Sequence, residues 1–499
     1  MQSRTVQSET APHLIHADHA WLRPGHEPSR ANVGVLIAGA AIAGVAEGEV
    51  ASPQGRGRFL MPALVNAHDH ARGLRHLAFG ARDEPFETWR GALYAQPRLD
   101  PYTNAAYAFA RMALSGIGTT LCVYSSIRTD RLVADAGEIA RAARDVGIRI
   151  GFVVPIRNQS TMALGNDLEL LALHESGDRE TIRQTWLNDW PDGDRYVDIV
   201  RSIGREIEGP LVSVQYGPNS PHACSEDLRE KISQASQEDG RRIHCHFLES
   251  VPQREWADAN YPGGLLPHLA DMGWLSERFT AAHGIWLDDR DCALMGQNGV
   301  TVAINTTSNL RVFSGLSPVR RYLAHGVGFG FGMDSFSLDD DDDMFHELKL
   351  SYWLHSPAHH EPRLSLATFY DQALATGYRI VMNEGGYGAI EPGAPADLVS
   401  LDYAAMSRDI IDGMIDANDV VLTRATAKYV RDLWVAGRQV VKDGRVTGVD
   451  FEALEAEVFA QARAQGERMR ALRPVLKRHQ RTLGDFYASG GHREPYSQR

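Results

Sequence analysis

Two histidines one residue apart, His68 and His70, close the apolar run LVNAHDH. On an extended strand, side chains two positions apart point to the same face. Two imidazoles so placed can grip one metal ion. Three further apolar runs end in comparable chemistry: His244-Cys245-His246-Phe247-Leu248-Glu249, Ala282-His283-Gly284 and Gly332-Met333-Asp334-Ser335. Three histidines and one carboxylate suit a zinc- or iron-type ion and leave a coordination position open for water. Singly, each motif is weak. The chain has 20 His, and His16-Ala17-Asp18-His19 offers the same residue types without the same placement. The signal is that all four groups sit at the ends of apolar runs.

Those runs belong to a longer pattern. Eight strands are expected at 64–68, 118–124, 148–156, 211–216, 242–247, 278–283, 300–305 and 327–334. Helical stretches such as 130–146 and 225–238 fall between most of them. Alternating strands and helices of this kind predict a (β/α)8 barrel, whose active sites sit at the C-terminal ends of the strands. The candidate groups then end strands one, five, six and eight. A doubly wound open sheet is the alternative, weakened because no G-x-G-x-x-G follows the first strand. Short Gly-punctuated strands also occur before residue 62 and after residue 384. The expected organisation is therefore 1–61 and 385–450 as two parts of one small composite β-sandwich, 62–384 as the barrel, and 451–499 as a helical extension with a poorly ordered tail.

Composition narrows the function. The chain has 499 residues, 43% hydrophobic and 23% charged, and its formal net charge is -13. Such an acidic balance argues against nucleic-acid or anionic-membrane partners and leaves a small-molecule substrate. No run of about 18 apolar residues suggests a membrane span, and the first twenty residues lack the apolar stretch of a signal peptide. The four cysteines, Cys122, Cys224, Cys245 and Cys292, form no C-x-x-C pair, which fits a reducing, cytoplasmic setting. Self-association into a homo-oligomer is left open.

The segments MPALVNAHDH, IHCHFLES, AAHGIWL, INTTSNLRVFSGLSPV, GFGMDS and PGAPADLVSLD together resemble the amidohydrolase superfamily, in its cytosine-deaminase and triazine-hydrolase branch. The nearest likeness is to the methylthioadenosine/S-adenosylhomocysteine deaminase group, over roughly residues 30–450. The resemblance implies His68, His70, His246 and Asp334 as metal ligands, His246 because Glu249 completes a His-x-x-Glu pattern. It implies one divalent ion, zinc first and iron as the alternative. No Lys precedes Lys231, so strands one to four cannot supply the carboxylated Lys of two-metal relatives. The implied catalytic residues are Asp334, accepting a proton from water, His283, orienting that water, and Glu249, passing a proton to the leaving nitrogen. His244, with no Glu three residues on, is expected to be structural.

The resemblance also has departures. Gly217-Pro218-Asn219-Ser220-Pro221 stands where the group carries Gly-Pro-His-Ser-Pro, so Asn219, or His222 just beyond, is expected to contact the substrate. Before the substrate-side Asn305 stands Ile304, where His is frequent, and Thr306 replaces the usual Pro. These changes put purine-nucleoside deamination in question. PFETWRG (85–91) resembles a substrate-capping segment, and Trp89, with Phe86 and Phe336, is placed to pack on a flat ring. The run Asp339–Asp343 reads either as a helix start or as acids, Asp339 foremost, that bind a cationic or NH-rich substrate. The expected activity is hydrolytic deamination of a small nitrogen-rich compound. The alternatives are amide, urea or carbamate hydrolysis releasing an amine, and a non-catalytic barrel relative.

Overall fold

The computed structural model describes residues 12–48, 57–126, 128–356, 364–411 and 413–494. Residues 1–11 and 49–56 of the expected first segment, and 495–499 of the expected tail, lie outside them.

Among the described residues, sixteen strands form two sheets. The first four are β1 (His13–Ala20), β2 (Arg30–Ala38), β3 (Ala41–Glu47) and β4 (Arg58–Pro62). Eight more follow: β5 (Leu64–Asp69), β6 (Ile117–Val123), β7 (Arg149–Ile156), β8 (Val212–Pro218), β9 (Ile243–Phe247), β10 (Phe279–His283), β11 (Thr301–Ile304) and β12 (Gly328–Phe331). The chain ends with β13 (Leu398–Asp402), β14 (Val430–Val435), β15 (Arg438–Lys442) and β16 (Arg445–Val446).

Strands β5 to β12 lie side by side in chain order, pairing in parallel. Each is buried on both faces over most of its length, as a sheet covered by crossover helices must be. The ring closes where Met333 and Asp334 donate their N–H groups to His68 O, at 3.1 and 2.9 Å. This is the expected barrel, and the closure excludes the open doubly wound sheet. All eight expected strands form. The last is shorter than expected because the backbone leaves the ladder after Phe331 and Asp334 turns to φ +56°.

Gly332 permits that closure. A Cβ there would meet Asn305 Oδ1 at 2.5 Å and His68 O at 2.6 Å. Lower in the barrel, Ala67, Ala282 and Ala303 cluster with Ile380 of the helix Gly377–Met382, small side chains leaving room for this plug. Gln215 Nε2 fastens the plug by donating to Ile380 O at 2.8 Å.

The second sheet draws on both chain ends, in the order β16-β15-β14-β13-β4-β1-β2-β3. It encloses its own core of Val33, Val35, Ile37, Leu60, Leu398 and Trp434 among others. The far edge folds back, with Ile42 N–H donating to Ala394 O at 2.9 Å. His16 and His19 lie on β1 in this sheet, away from the barrel's strand ends.

Two helices, Phe451–Ala464 and Gly466–Ala488, complete the chain. The second braces the helix Phe86–Leu93, since Gln480 Nε2 donates to Thr88 O at 3.1 Å and to Glu84 Oε2 at 2.9 Å. The expected loose tail is ordered through residue 494. His492 is buried and lies 2.7 Å from Glu255, which also pairs with Arg493. No helix of the described residues is long and apolar enough to cross a membrane, and all four cysteines are free and buried.

Candidate metal centre

Three barrel strands, β5, β9 and β12, bring the candidate ligands at their C-terminal ends to one point. A ligand atom from each of His68, His70, His246 and Asp334 lies within 4.8 Å of the others. His68 Nε2 and His70 Nε2 stand 3.2 and 3.1 Å from Asp334 Oδ1.

The inward turn of each ring is set from behind. His68 Nδ1 is 2.7 Å from His244 Nε2. His70 Nδ1 is 2.7 Å from Val123 O, and His246 Nδ1 is 2.8 Å from Asn219 O. With each Nδ1–H donating outward, each Nε2 keeps its lone pair for a cation. Ser308 donates its hydroxyl to Asp334 Oδ2 at 2.7 Å, which leaves Oδ1 toward the histidines. Burial keeps His70 and His246 neutral, the ligand form, by lowering their pKa values. Burial opposes ionisation of Asp334 too, but its contacts with His68 and His70 hold its carboxyl well below the usual range. Three imidazole lone pairs and one carboxylate oxygen fit a zinc or iron ion.

Beside this cluster lie His283 and Glu249, both about 1% exposed. His283 Nδ1 is 2.8 Å from Asn309 Oδ1, so its Nε2 is the free acceptor. That Nε2 stands 3.9 Å from Glu249 Oε2, and neither atom has a hydrogen-bond partner. Burial, with the like charges of Asp334 and Glu87, pushes the Glu249 carboxyl well above its usual range. Leu248, His283, Asp334 and Ser335 all adopt positive φ, between +42° and +69°. Left-handed backbone at four non-glycine positions costs energy that the surrounding fold must offset, and such strain gathers at functional sites.

The other expected substrate groups divide. Asn305 is fully buried at the end of β11, 3.3 Å from His283 Nδ1 through its Nδ2, with Oδ1 unpartnered. Trp89 is buried against Phe336, with ring centres 5.1 Å apart. Asn219 contributes its backbone carbonyl, as the acceptor for His246, so the contact found is to a metal-ligand candidate. His222 turns into the protein, bonding Ser220 Oγ at 3.0 Å and packing edge-on against Trp256.

Asp339 does not join the cluster. It is exposed, grouped instead with Asp341 and His346. The rest of the acidic run is consumed locally. Asp340 pairs with Arg311, Asp342 with Arg75 and Arg111, and Asp343 caps the helix Met344–His355 through Phe345 N–H at 2.9 Å. The run is thus a helix start and a clamp on neighbouring arginines. Asp342→Ala should destabilise the protein by about 3 kcal/mol, because it leaves two partly buried guanidinium groups without their carboxylate. Thermal melting of Asp342→Ala beside Asp339→Asn, which should stay within ~0.5 kcal/mol of the parent, checks this.

One residue the sequence did not mark is Glu347. It is buried beneath the β11 end and accepts from Thr306 N at 2.7 Å and from the Thr307 hydroxyl at 2.6 Å. It thereby anchors the turn carrying Ser308 to Asp334. Burial, opposed by these hydrogen bonds, pushes its pKa up to about 7. A raised carboxyl pKa stabilises the fold at low pH, and that contribution is lost as pH rises from about 4.5 through about 7. Relative to Glu347→Gln, the parent should therefore lose up to roughly 3 kcal/mol between pH 4.5 and 8, read as a crossing pair of Tm-against-pH curves.

Comparison with known proteins places this arrangement. The model of the amidohydrolase family matches residues 59–444, a span holding every ligand candidate. The chain belongs to the amidohydrolase family. It is 26% identical over 420 residues to a 5'-deoxyadenosine deaminase of Methanosarcina mazei, covering 83% of this chain and 87% of the relative. To a 5-methylthioadenosine/S-adenosylhomocysteine deaminase of Syntrophus aciditrophicus it is 27% identical over 433 residues, 83% and 86% of the two chains. Among solved structures, the zinc complex of atrazine chlorohydrolase from Arthrobacter aurescens superposes with TM-score 0.72 at 22% identity, covering 90% of this chain and 99% of that one. This amidohydrolase is an enzyme, a deaminase-like hydrolase of C–N bonds.

Proposed function

We propose that this amidohydrolase is a deaminase that uses one divalent ion, zinc before iron, to release ammonia from an amino group on a flat, nitrogen-rich heterocycle. The observation that carries the reading is the buried Glu249, its Oε2 facing His283 Nε2 at 3.9 Å beside the four gathered donors. His68, His70, His246 and Asp334 would hold the ion. A bound divalent ion supplies Lewis acidity and lowers the pKa of a coordinated water to about 7. Asp334, kept ionised, accepts the proton of an attacking water. His283, tied through Nδ1 to Asn309, offers Nε2 as a fixed acceptor that orients it. Glu249, whose carboxyl burial pushes upward, serves as the proton donor to the leaving nitrogen, which is poorly able to depart unprotonated. A proton donor here serves release of ammonia or of an amine alike, and deamination is put first on the named activities of the relatives.

The aromatic wall of Trp89 and Phe336 supports a flat substrate. The named activities of the relatives make 5'-deoxyadenosine the first compound to try, while Asn219 and Ile304 argue for trying others. The test is ammonia release by zinc-loaded protein from 5'-deoxyadenosine, other aminopurines, aminopterins, aminotriazines, guanidines and ureas. Ammonia from an aminated heterocycle supports the reading. Release of larger amines from amides or ureas instead would overturn it.

A further inference from the structure

His76 is unexplained by the roles assigned so far. It opens the short turn His76–Phe79, six residues past His70, and is 1% exposed. Neither of its ring nitrogens has a hydrogen-bond partner. The ring stands edge-on to Phe336 at 4.8 Å and to Trp89 at 5.2 Å between centres. The Trp89 indole N–H is also buried and unpartnered. Buried polar atoms are nearly always satisfied, so three orphans on two touching rings require an account.

Their position gives one. Phe336 follows Asp334 by two residues, and the charges acting on His76 are those of Arg72, Asp334, His70 and Arg311. The pair lies against the turn that carries Asp334, where Ser335, between Asp334 and Phe336, accepts the His70 N–H at 3.1 Å. Burial and the nearby Arg72 keep the ring neutral. A neutral imidazole offers one N–H donor and one lone pair, and the indole adds a second donor.

We infer that His76 is a specificity-determining residue, which with the Trp89 indole N–H hydrogen-bonds the edge of a heterocyclic substrate offering both a ring-nitrogen lone pair and an N–H. This rests on the deaminase reading for the substrate class, and the test separates the two. The aromatic contacts of Trp89 and Phe336 hold the imidazole in place, and a hydrocarbon ring or a ring of the wrong donor pattern leaves these groups unpaired and is rejected.

The experiment uses the full zinc-loaded chain with His76→Phe, which keeps the packing and removes both ring nitrogens, and His76→Gln, which keeps a donor and an acceptor. The probes are 5'-deoxyadenosine with its 3-deaza and 7-deaza analogues, and the amino heterocycles of the ammonia screen. Binding is followed by thermal shift and turnover by ammonia. His76→Phe should bind the preferred heterocycle about tenfold more weakly for each hydrogen bond lost, with zinc content unchanged, and His76→Gln should recover part of the loss. It should also no longer distinguish that heterocycle from the analogue lacking the recognised nitrogen. A heterocycle that needs His76 to bind but yields no ammonia would support the inference while overturning the deaminase reading. If no heterocycle binds the parent more tightly than His76→Phe, and the variant merely melts higher, His76 is a packing residue and the inference is overturned.

Discussion

Glu249→Gln should lower turnover by about 10²–10⁴-fold while zinc content and Tm stay near those of the parent. The amide has the shape of the acid and can fill the same buried place beside His283. It cannot donate a proton to a leaving nitrogen as the acid can. The loss should fall on kcat, because Glu249 is not among the gathered ligand donors and its role is to supply a proton. The burial that raises the Glu249 carboxyl also makes the neutral amide easy to accommodate. A compound whose leaving group needs no protonation should be far less sensitive to the substitution, so comparing two leaving groups locates the defect. Near-normal ammonia release by Glu249→Gln would remove Glu249 from the mechanism.

The barrel was legible because its strands are apolar on both faces and are punctuated at regular distances. The periodicity of a run such as IRIGFVVPI survives any detail of packing, and β7 forms over Arg149–Ile156. The ligand candidates were legible for a related reason: H-x-H at a strand end leaves little freedom in where two imidazoles point. The loops were harder to read. Asn219 was expected to meet a substrate through its amide, yet its backbone carbonyl is what steadies His246. Sequence shows side chains, and the carbonyl's use follows only from how β8 and β9 sit together. Asp339–Asp343 looked like a single charged feature, but their separate fates depend on Arg75, Arg111 and Arg311, which are distant in the chain. His76 and Glu347 gave no signal at all, since a lone histidine after a strand and a lone acid on a helix are ordinary until the fold buries them, His76 without a partner and Glu347 against Thr306 and Thr307. The ordered residues 490–494 escaped notice similarly: a polar, glycine-rich tail reads as loose unless Glu255 is known to await it.

Stripping the metal should abolish turnover altogether, and one equivalent of zinc per chain should restore it. The buried donor cluster is built around a single centre: one atom from each of four residues meets within 4.8 Å, and three imidazoles are turned inward by bonds at the opposite nitrogen. Without a cation, these inward-turned rings crowd one carboxylate, an arrangement with no evident worth to the fold. An ion that binds only the folded chain stabilises it by RT ln(1 + [L]/Kd), about 4 kcal/mol at a thousandfold excess over Kd. Zinc should therefore raise the Tm of the stripped protein, and His70→Ala or His246→Ala should lose both that rise and the activity. His244→Ala, which removes only the support behind His68, should weaken zinc by about 10–100-fold and leave turnover recoverable at high zinc. Stoichiometry decides the number of ions. The other grouping of donors among the described residues, Asp339, Asp341 and His346, is partly exposed, and exposed acids hold zinc weakly if at all. No lysine precedes Lys231 to bridge a second ion from the early strands. Metal analysis returning two tightly held ions per chain, both lost in His70→Ala, would overturn the single-ion reading. Reloading with iron under anaerobic conditions, at the same stoichiometry, then ranks the two metals by the activity each restores.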